Sequence, residues 1–341
     1  MDNYMNSRFQ WADLCRIYAI FLVIVIHVSA KYLIDFTGIH ESNWLFANLF
    51  DSFARVSVPL FFMLSGALLL NTEKISGNTL SGISGRIWKI TIPLIFWSII
   101  YVLHLKHYGV DIKFTHMLHE PVMYHLWFAY AMIFIYATLP FIKNLYENIN
   151  KSPSLIFYLL TLWFTVYLIK GYISIGFLNP MGINYSPVFG YIGYFILGGL
   201  LIRYKQAILN KVKKTTVLYI FLLSSLTTFI ATIWLSYHAN TTITTAYEYL
   251  TINVAMAALS IFVLIFDIKI NSKYNKILKT ISENVFFIYF IHLLIMSKVE
   301  TIFSGMPALI EIPLTSLLTL AISLVIAIIV RKIPKAPIIT G

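Results

Sequence analysis

Apolar residues fill ten stretches of the chain, at about 11–33, 44–70, 86–105, 123–142, 153–170, 186–204, 215–236, 247–268, 280–303 and 309–330, and polar residues collect between them. About 20 consecutive apolar residues carry an α-helix across a bilayer, so each stretch is read as a membrane span. The first is too long for a secretory h-region and lacks a small-x-small cleavage site, which predicts a retained helix. No low-complexity tract or linker divides the chain, and no period of a repeat family recurs. The expected fold is all-α: one polytopic membrane bundle of about ten transmembrane helices, a single domain over 1–341.

Composition agrees. Hydrophobic residues make up 59% of the 341 and charged ones only 11%, against about a quarter charged in soluble domains. That balance excludes a water-soluble enzyme, a disordered chain and a DNA-binding domain. The single Cys15 excludes an intrachain disulfide framework and a Cys-rich zinc site. Of the 25 Lys and Arg residues, 18 fall in the N-terminal tail and every second connection, beginning with Arg8 and Lys74; 5 fall in the alternate connections, among them Lys113 and Lys170. Arg16 and Arg55 lie inside helices. By the positive-inside rule both termini are expected in the cytoplasm.

Ionisable groups inside a bilayer are costly, about 2.5–3.5 kcal/mol at a helix centre, and so point to function. The first span carries Asp13, Arg16 and His27. Eleven residues turn a helix by three turns and about 20°, placing Arg16 and His27 on one face, about 16 Å apart along the axis. A snorkelling Arg and a packed core His are the structural alternative. The second span carries Asp51 and Arg55 at i, i+4, which suits an internal ion pair. Asp51 also matches His27 in depth and could orient its ring. Arg86 and Lys89 open the third span, where positive-inside anchoring would equally place them. His125, between Tyr124 and Trp127, opens the fourth at an expected outer aromatic belt. His292 lies about 18 Å into the ninth, near the depth of His27. Basic groups thus mark the cytoplasmic half, and His residues with Asp51 the outer half. Such an axis suits an anionic cytoplasmic donor reaching up to a general base.

These residues carry a resemblance to the membrane acyltransferase-3 family, and within it to bacterial O-acetyltransferases of envelope polysaccharides. The Arg/Lys-x10-His signature is Arg16 to His27, preceded by Asp13; RVSVPLFFMLSG at 55–66, RIWKITIP at 86–93, YHLWF at 124–128 and SENVFFIYFIH at 282–292 follow in family order. Two positions depart from the pattern. Ile17 replaces a common Gly, and Lys89 replaces the second Arg of Arg-x-x-Arg, leaving a point charge where a bidentate fork would sit. The resemblance implies transfer of an acyl group, usually acetyl from acetyl-CoA, to a hydroxyl of an envelope glycan or lipid-linked saccharide. It implies His27 as catalytic base, and Arg16, Arg86 and Lys89 as contacts to CoA phosphates. Arg55 falls in a further family motif, between donor contact and structural pairing.

A sugar hydroxyl needs a positioned base, worth about 10²–10⁴-fold in rate, and donors at the thioester oxygen, for which Tyr124, Trp127 and Ser65 are candidates. His27, His292 and Asp51 are expected to line one chamber with a tunnel down to Arg16. His125, Tyr124 and Trp127 are expected at the acceptor entrance. The expected setting is the inner (cytoplasmic) membrane, multi-pass, in contact with lipid, with acyl-CoA as cosubstrate, no metal and no nucleic acid. With no soluble hydrolase-like domain in the sequence, direct transfer to the acceptor or to a separate protein is expected. An exporter or flippase of envelope glycans is the alternative from another class, and a haem-bearing electron carrier a third.

Overall fold

The computed structural model describes residues 10–34, 36, 41–71, 80–110, 120–168, 187–268, 270–334 and 339. Arg8, Lys74, Lys113, Lys170 and the ends of two expected spans (169–170 and 186) lie outside them. Among the described residues all regular structure is helical: α1 Gln10–Leu33, α2 Ser42–Ala54, α3 Ser57–Leu70, α4 Leu80–His107, α5 Trp127–Ala137, α6 Leu139–Ile149, α7 Pro153–Trp163, α8 Pro187–Arg203, α9 Lys205–Lys211, α10 Lys214–Ala239, α11 Ile252–Ile265, α12 Asn275–Phe303 and α13 Ala308–Val330. Among the described residues seven helices are long and apolar enough to cross a membrane, and up to nine if two bent pairs each count as one span. One pair is Tyr124–Ala137 with α6, bent by 66°; the other is Val188–Arg203 with α9, bent by 73°. The shorter apolar helix Pro153–Leu168 coincides with the described part of the fifth expected span.

Helix α1 sits at the centre and packs on α2, α3, α12 and α13. Its buried residues run all round the cylinder, from Ala12 and Cys15 to Val28 and Leu33, as expected of a helix with no solvent-facing side. The outer helices are turned inside out relative to a soluble protein. On α10, Ser225, Thr228, Thr232 and Ser236 face inward, while Tyr219, Leu223, Ile230 and Trp234 are exposed. On α13 the buried stripe is Thr315, Ser316, Thr319 and Ser323. Lipid does not push apolar groups together, so membrane helices pack through small residues and internal polar bonds. Asn48 of α2 shows the principle: its amide donates to the Phe229 carbonyl (3.2 Å) and its oxygen accepts from Tyr247 (2.5 Å) and Ser52 (3.1 Å). At one end of the bundle Glu311 is buried and bonded by both Lys31 and Tyr32.

The tightest approach joins α3 to α8. A Cβ added to Gly66 would lie 1.7 Å from the Phe195 carbonyl oxygen, and one added to Gly198 would lie 1.9 Å from that of Met63. Both glycines therefore mark one crossing point where backbone meets backbone. Gly198→Ala is expected to force the helices apart and cost about 1–3 kcal/mol. Gly85→Ala, where a Cβ meets nothing within 4 Å, is expected to gain about 0.5–1 kcal/mol as an ordinary helix substitution. Thermal unfolding of the two variants in one detergent checks the contrast; equal melting temperatures would disprove the close crossing.

Candidate functional site

Two cavities of nearly equal size lie along the upper and lower halves of α1. The first, about 440 Å³, has a cationic rim of Arg16, Arg86 and Lys89 and an apolar interior that includes Leu64, Leu68, Ile90, Met132 and Phe286. Arg16 is held in place by its own helix and by α12. Its guanidinium donates to Asp13 Oδ1 (3.1 Å) and to Ser282 Oγ (3.3 Å), and Ser282 donates to the same carboxylate oxygen (2.7 Å). Arg86 and Lys89 come from α4, one turn apart. Three cations converging above apolar walls can hold a polyanion by its charged end, with an uncharged arm running inward.

The second cavity, about 430 Å³, is lined by His27, His125, Arg55, Glu248 and a set of aromatic side chains: Tyr124, Trp127, Tyr247, Tyr249 and Phe128. Two of its lining residues, His27 and His125, belong to a cluster of three imidazoles from three helical segments, completed by His292 behind them. His27 stacks on His292 with ring centroids 5.2 Å apart and an interplanar angle of 28°. His125 meets His292 edge-on at 5.1 Å and lies 6.3 Å from His27. The His292 Nδ1 lies 2.7 Å from the Tyr289 carbonyl oxygen and 3.2 Å from that of Ile288. A carbonyl only accepts, so Nδ1 carries the proton and Nε2 of the neutral ring is left as an acceptor. That Nε2 is buried without a hydrogen-bond partner, as are both ring nitrogens of His125. His27 and His125 both line the cavity, and His27 is the one whose ring stacks on His292. Among the described residues no group of three or more His, Cys, Asp or Glu is arranged to hold a metal ion.

Asp51 is fully buried and ion-paired with Arg55, its i+4 neighbour at the α2–α3 break. The guanidinium lies 4.4 Å from the centroid of Tyr247 and 5.8 Å from that of Tyr249. The other carboxylate oxygen makes no hydrogen bond, so no bond joins Asp51 to a histidine ring.

The expected residues thus sort into two groups. Arg16, Arg86 and Lys89 come together in the first cavity. His27, His125, Tyr124, Trp127 and Arg55 come together in the second. Arg55 is therefore apart from the other three cations, with the His cluster. His292 contacts His27 but lies behind it, fully buried and lining neither cavity. His125 was expected near the outer surface, yet it is only 4% exposed and packed among Tyr101, Tyr289 and the other two imidazoles. Tyr124 beside it is 60% exposed. Of the three candidate oxyanion donors, Tyr124 and Trp127 line the second cavity and Ser65 the first.

Several residues escaped the sequence reading. Ser282 and Tyr289 both lie within the SENVFFIYFIH stretch, and Tyr289 is one turn before His292, so helical spacing from that His was an available signal. Tyr191, Tyr247 and Tyr249 gather round Trp127 and Arg55 from distant segments, and nothing local announces them.

Removing one partner of a buried ion pair leaves a bare charge in a poor solvent. Arg55→Met is expected to destabilise the protein by about 3–5 kcal/mol, and the double replacement Asp51→Leu with Arg55→Met to recover most of that loss. Thermal unfolding in detergent is the measurement. A single variant as stable as the parent would mean the pair carries no structural weight.

Comparison with known proteins places the chain at the level of the family. The acyltransferase-3 family model, described as an acyltransferase domain, matches residues 9–330. No curated protein and no solved structure matches the chain. The matched region takes in both cavities and the helices that build them, and a family defined by acyl transfer requires an acyl donor and an acceptor. The chain belongs to the membrane acyltransferase-3 family.

Proposed function

We propose that this acyltransferase is an O-acetyltransferase of the inner membrane, moving acetyl from cytoplasmic acetyl-CoA to a hydroxyl of a cell-envelope glycan or lipid-linked saccharide. The single observation that carries the reading is the division of labour along α1. Arg16 stands in a cationic cavity with Arg86 and Lys89, and eleven residues further on His27 stands in an aromatic cavity with Arg55 and Trp127. The skewed distribution of Lys and Arg supports ten spans with both termini in the cytoplasm, which puts the cationic cavity on the CoA side.

On this reading the phosphates of CoA sit on Arg16, Arg86 and Lys89, and the pantetheine arm follows the apolar walls inward. The acceptor sugar enters the second cavity, where Trp127 and the tyrosines offer flat faces for its ring. His27 takes the hydroxyl proton as the oxygen attacks the thioester carbon. The tetrahedral intermediate then expels the CoA thiolate, and the proton passes from the imidazolium to that sulfur. Tyr124 and Trp127 are the cavity's side-chain donors for the oxyanion. His292 is a positioning residue: its Nδ1–H is committed to the Tyr289 carbonyl, and its ring fixes the plane of His27 by stacking. His125, with Tyr124, completes the wall that the acceptor meets.

His27→Ala is expected to abolish transfer of radiolabelled acetyl from acetyl-CoA to membrane glycans while leaving membrane insertion and CoA affinity intact. His27→Gln should not rescue it, because an amide cannot take the proton. Unchanged labelling in either variant sinks the general-base assignment. Glycan export that survives His27→Ala, with no acylation in the parent, would instead favour the exporter reading.

Arg16→Ala and Arg86→Ala are each expected to raise the acetyl-CoA requirement. A charge-assisted contact is worth about 1.5–3 kcal/mol, or roughly 10- to 150-fold in affinity. Arg16 should lie at the low end, since Asp13 already neutralises part of its charge. CoA titration onto sealed vesicles of known orientation is the check, and saturable binding from the outer face alone would overturn the donor assignment.

A further inference from the structure

The two cavities are neighbours with a common wall. Phe61, Phe128 and Tyr289 line both of them. The rings meet in a row: Phe61 to Phe128 at 5.7 Å between centroids, and Phe128 to Tyr289 at 5.8 Å. These separations are those of aromatic pairs in contact, so the row closes the passage. Arg16 and His27 face opposite sides of it.

The three rings are not equally free. The Tyr289 hydroxyl donates to the His125 carbonyl (2.8 Å), its own carbonyl accepts from His292, and its ring is buried. Phe61 and Phe128 have no polar anchor and are half-buried. Phe128 leans on Phe62 at 5.0 Å, and Phe62 is stacked on Tyr191 at 4.7 Å. The wall therefore has a fixed post, Tyr289, and two leaves that can swing, Phe61 and Phe128.

We infer that Phe61, Phe128 and Tyr289 form an aromatic gate that selects the acyl group by length, passing a two-carbon acyl group and holding back longer ones. The inference rests on the acyl-CoA reading above. With the phosphates held at Arg16, Arg86 and Lys89, the thioester approaches the wall from the first cavity, whereas the base lies beyond it. The acyl tail leads the carbonyl through the row. Acetyl presents only a methyl group to the rings, so a small swing of Phe128 brings the carbonyl within reach of the attacking hydroxyl. Each added methylene must displace more ring surface and then find room beside the packed His cluster. The chemistry is unchanged by the gate: the thioester C–S bond breaks, the ester C–O bond forms, and the hydroxyl proton leaves on the CoA thiol by way of His27.

The test uses membranes containing the full chain and its endogenous acceptor, supplied with radiolabelled acetyl-, butyryl- and hexanoyl-CoA, with label counted in extracted glycan. The parent should use acetyl-CoA well and the longer donors poorly. Phe128→Ala should raise the butyryl-to-acetyl ratio by roughly 10-fold or more, the scale of discrimination set by one methylene in an apolar pocket. Phe61→Leu should shift it in the same direction by less. Tyr289→Phe keeps the ring and should keep the ratio. Equal use of all three donors by the parent overturns the gate without any variant. So does an unchanged ratio in Phe128→Ala and Phe61→Leu while acetyl incorporation continues. If the parent incorporates label from none of the three esters, the acyl-CoA reading itself fails and the gate falls with it.

Discussion

The constraint on which the rest depends is that the hydrocarbon of a bilayer satisfies no polar group. Every donor, acceptor and charge on the central helices must find its partner in another helix or face a cavity. Asp13, Arg16 and Ser282 lock the start of α1 to α12, Asp51 and Arg55 pin the α2–α3 break, and Glu311 ties α13 to the far end of α1 through Lys31 and Tyr32. The same requirement explains the reversed outer helices, with Ser and Thr turned inward and large apolar residues outward. Among the buried polar atoms left without a partner are several at the imidazole cluster. Both ring nitrogens of His125, Nε2 of His292 and one oxygen of Asp51 lack partners close to the second cavity.

Much of this was legible in the chain, and the parts that were not share a cause. The apolar stretches located the helices, and an eleven-residue count placed Arg16 and His27 on one face. Counting twelve residues into the ninth span matched His292 to His27 in depth, and the two rings do stack. His125 was misplaced because depth was counted from the membrane surface. The helix it opens, Tyr124–Ala137, covers only about 21 Å at 1.5 Å per residue, well short of a hydrocarbon core of about 30 Å. At the start of this short, bent element Tyr124 is exposed while His125 turns inward among other rings. Arg55 stood between donor contact and structural pairing because its direction was not readable from the sequence; it pairs with Asp51, lies over the Tyr247 ring and lines the second cavity. Where one chamber with a tunnel was expected, two cavities adjoin at Phe61, Phe128 and Tyr289, aromatic residues that read as ordinary core.

Under the proposed function the division into two cavities has a physical reason. A catalyst that draws a charged donor from one side of a membrane and an acceptor from the other needs a path for a few atoms and none for water or ions. Side chains that hydrogen-bond would make a poor barrier at that point, since they would hold water in the path or need partners that move with them. Aromatic rings without polar anchors exclude water, pack well when shut and lose only dispersion contacts when one of them turns. Tyr289 is the exception in the row, and its bonds account for it. Its hydroxyl and carbonyl engage His125 and His292, so the fixed side of the barrier and the orientation of the imidazoles are set by one residue on one helix. Tyr289 and His292 are thus held in register by the backbone of α12, and His27 of α1 stacks on the second of them.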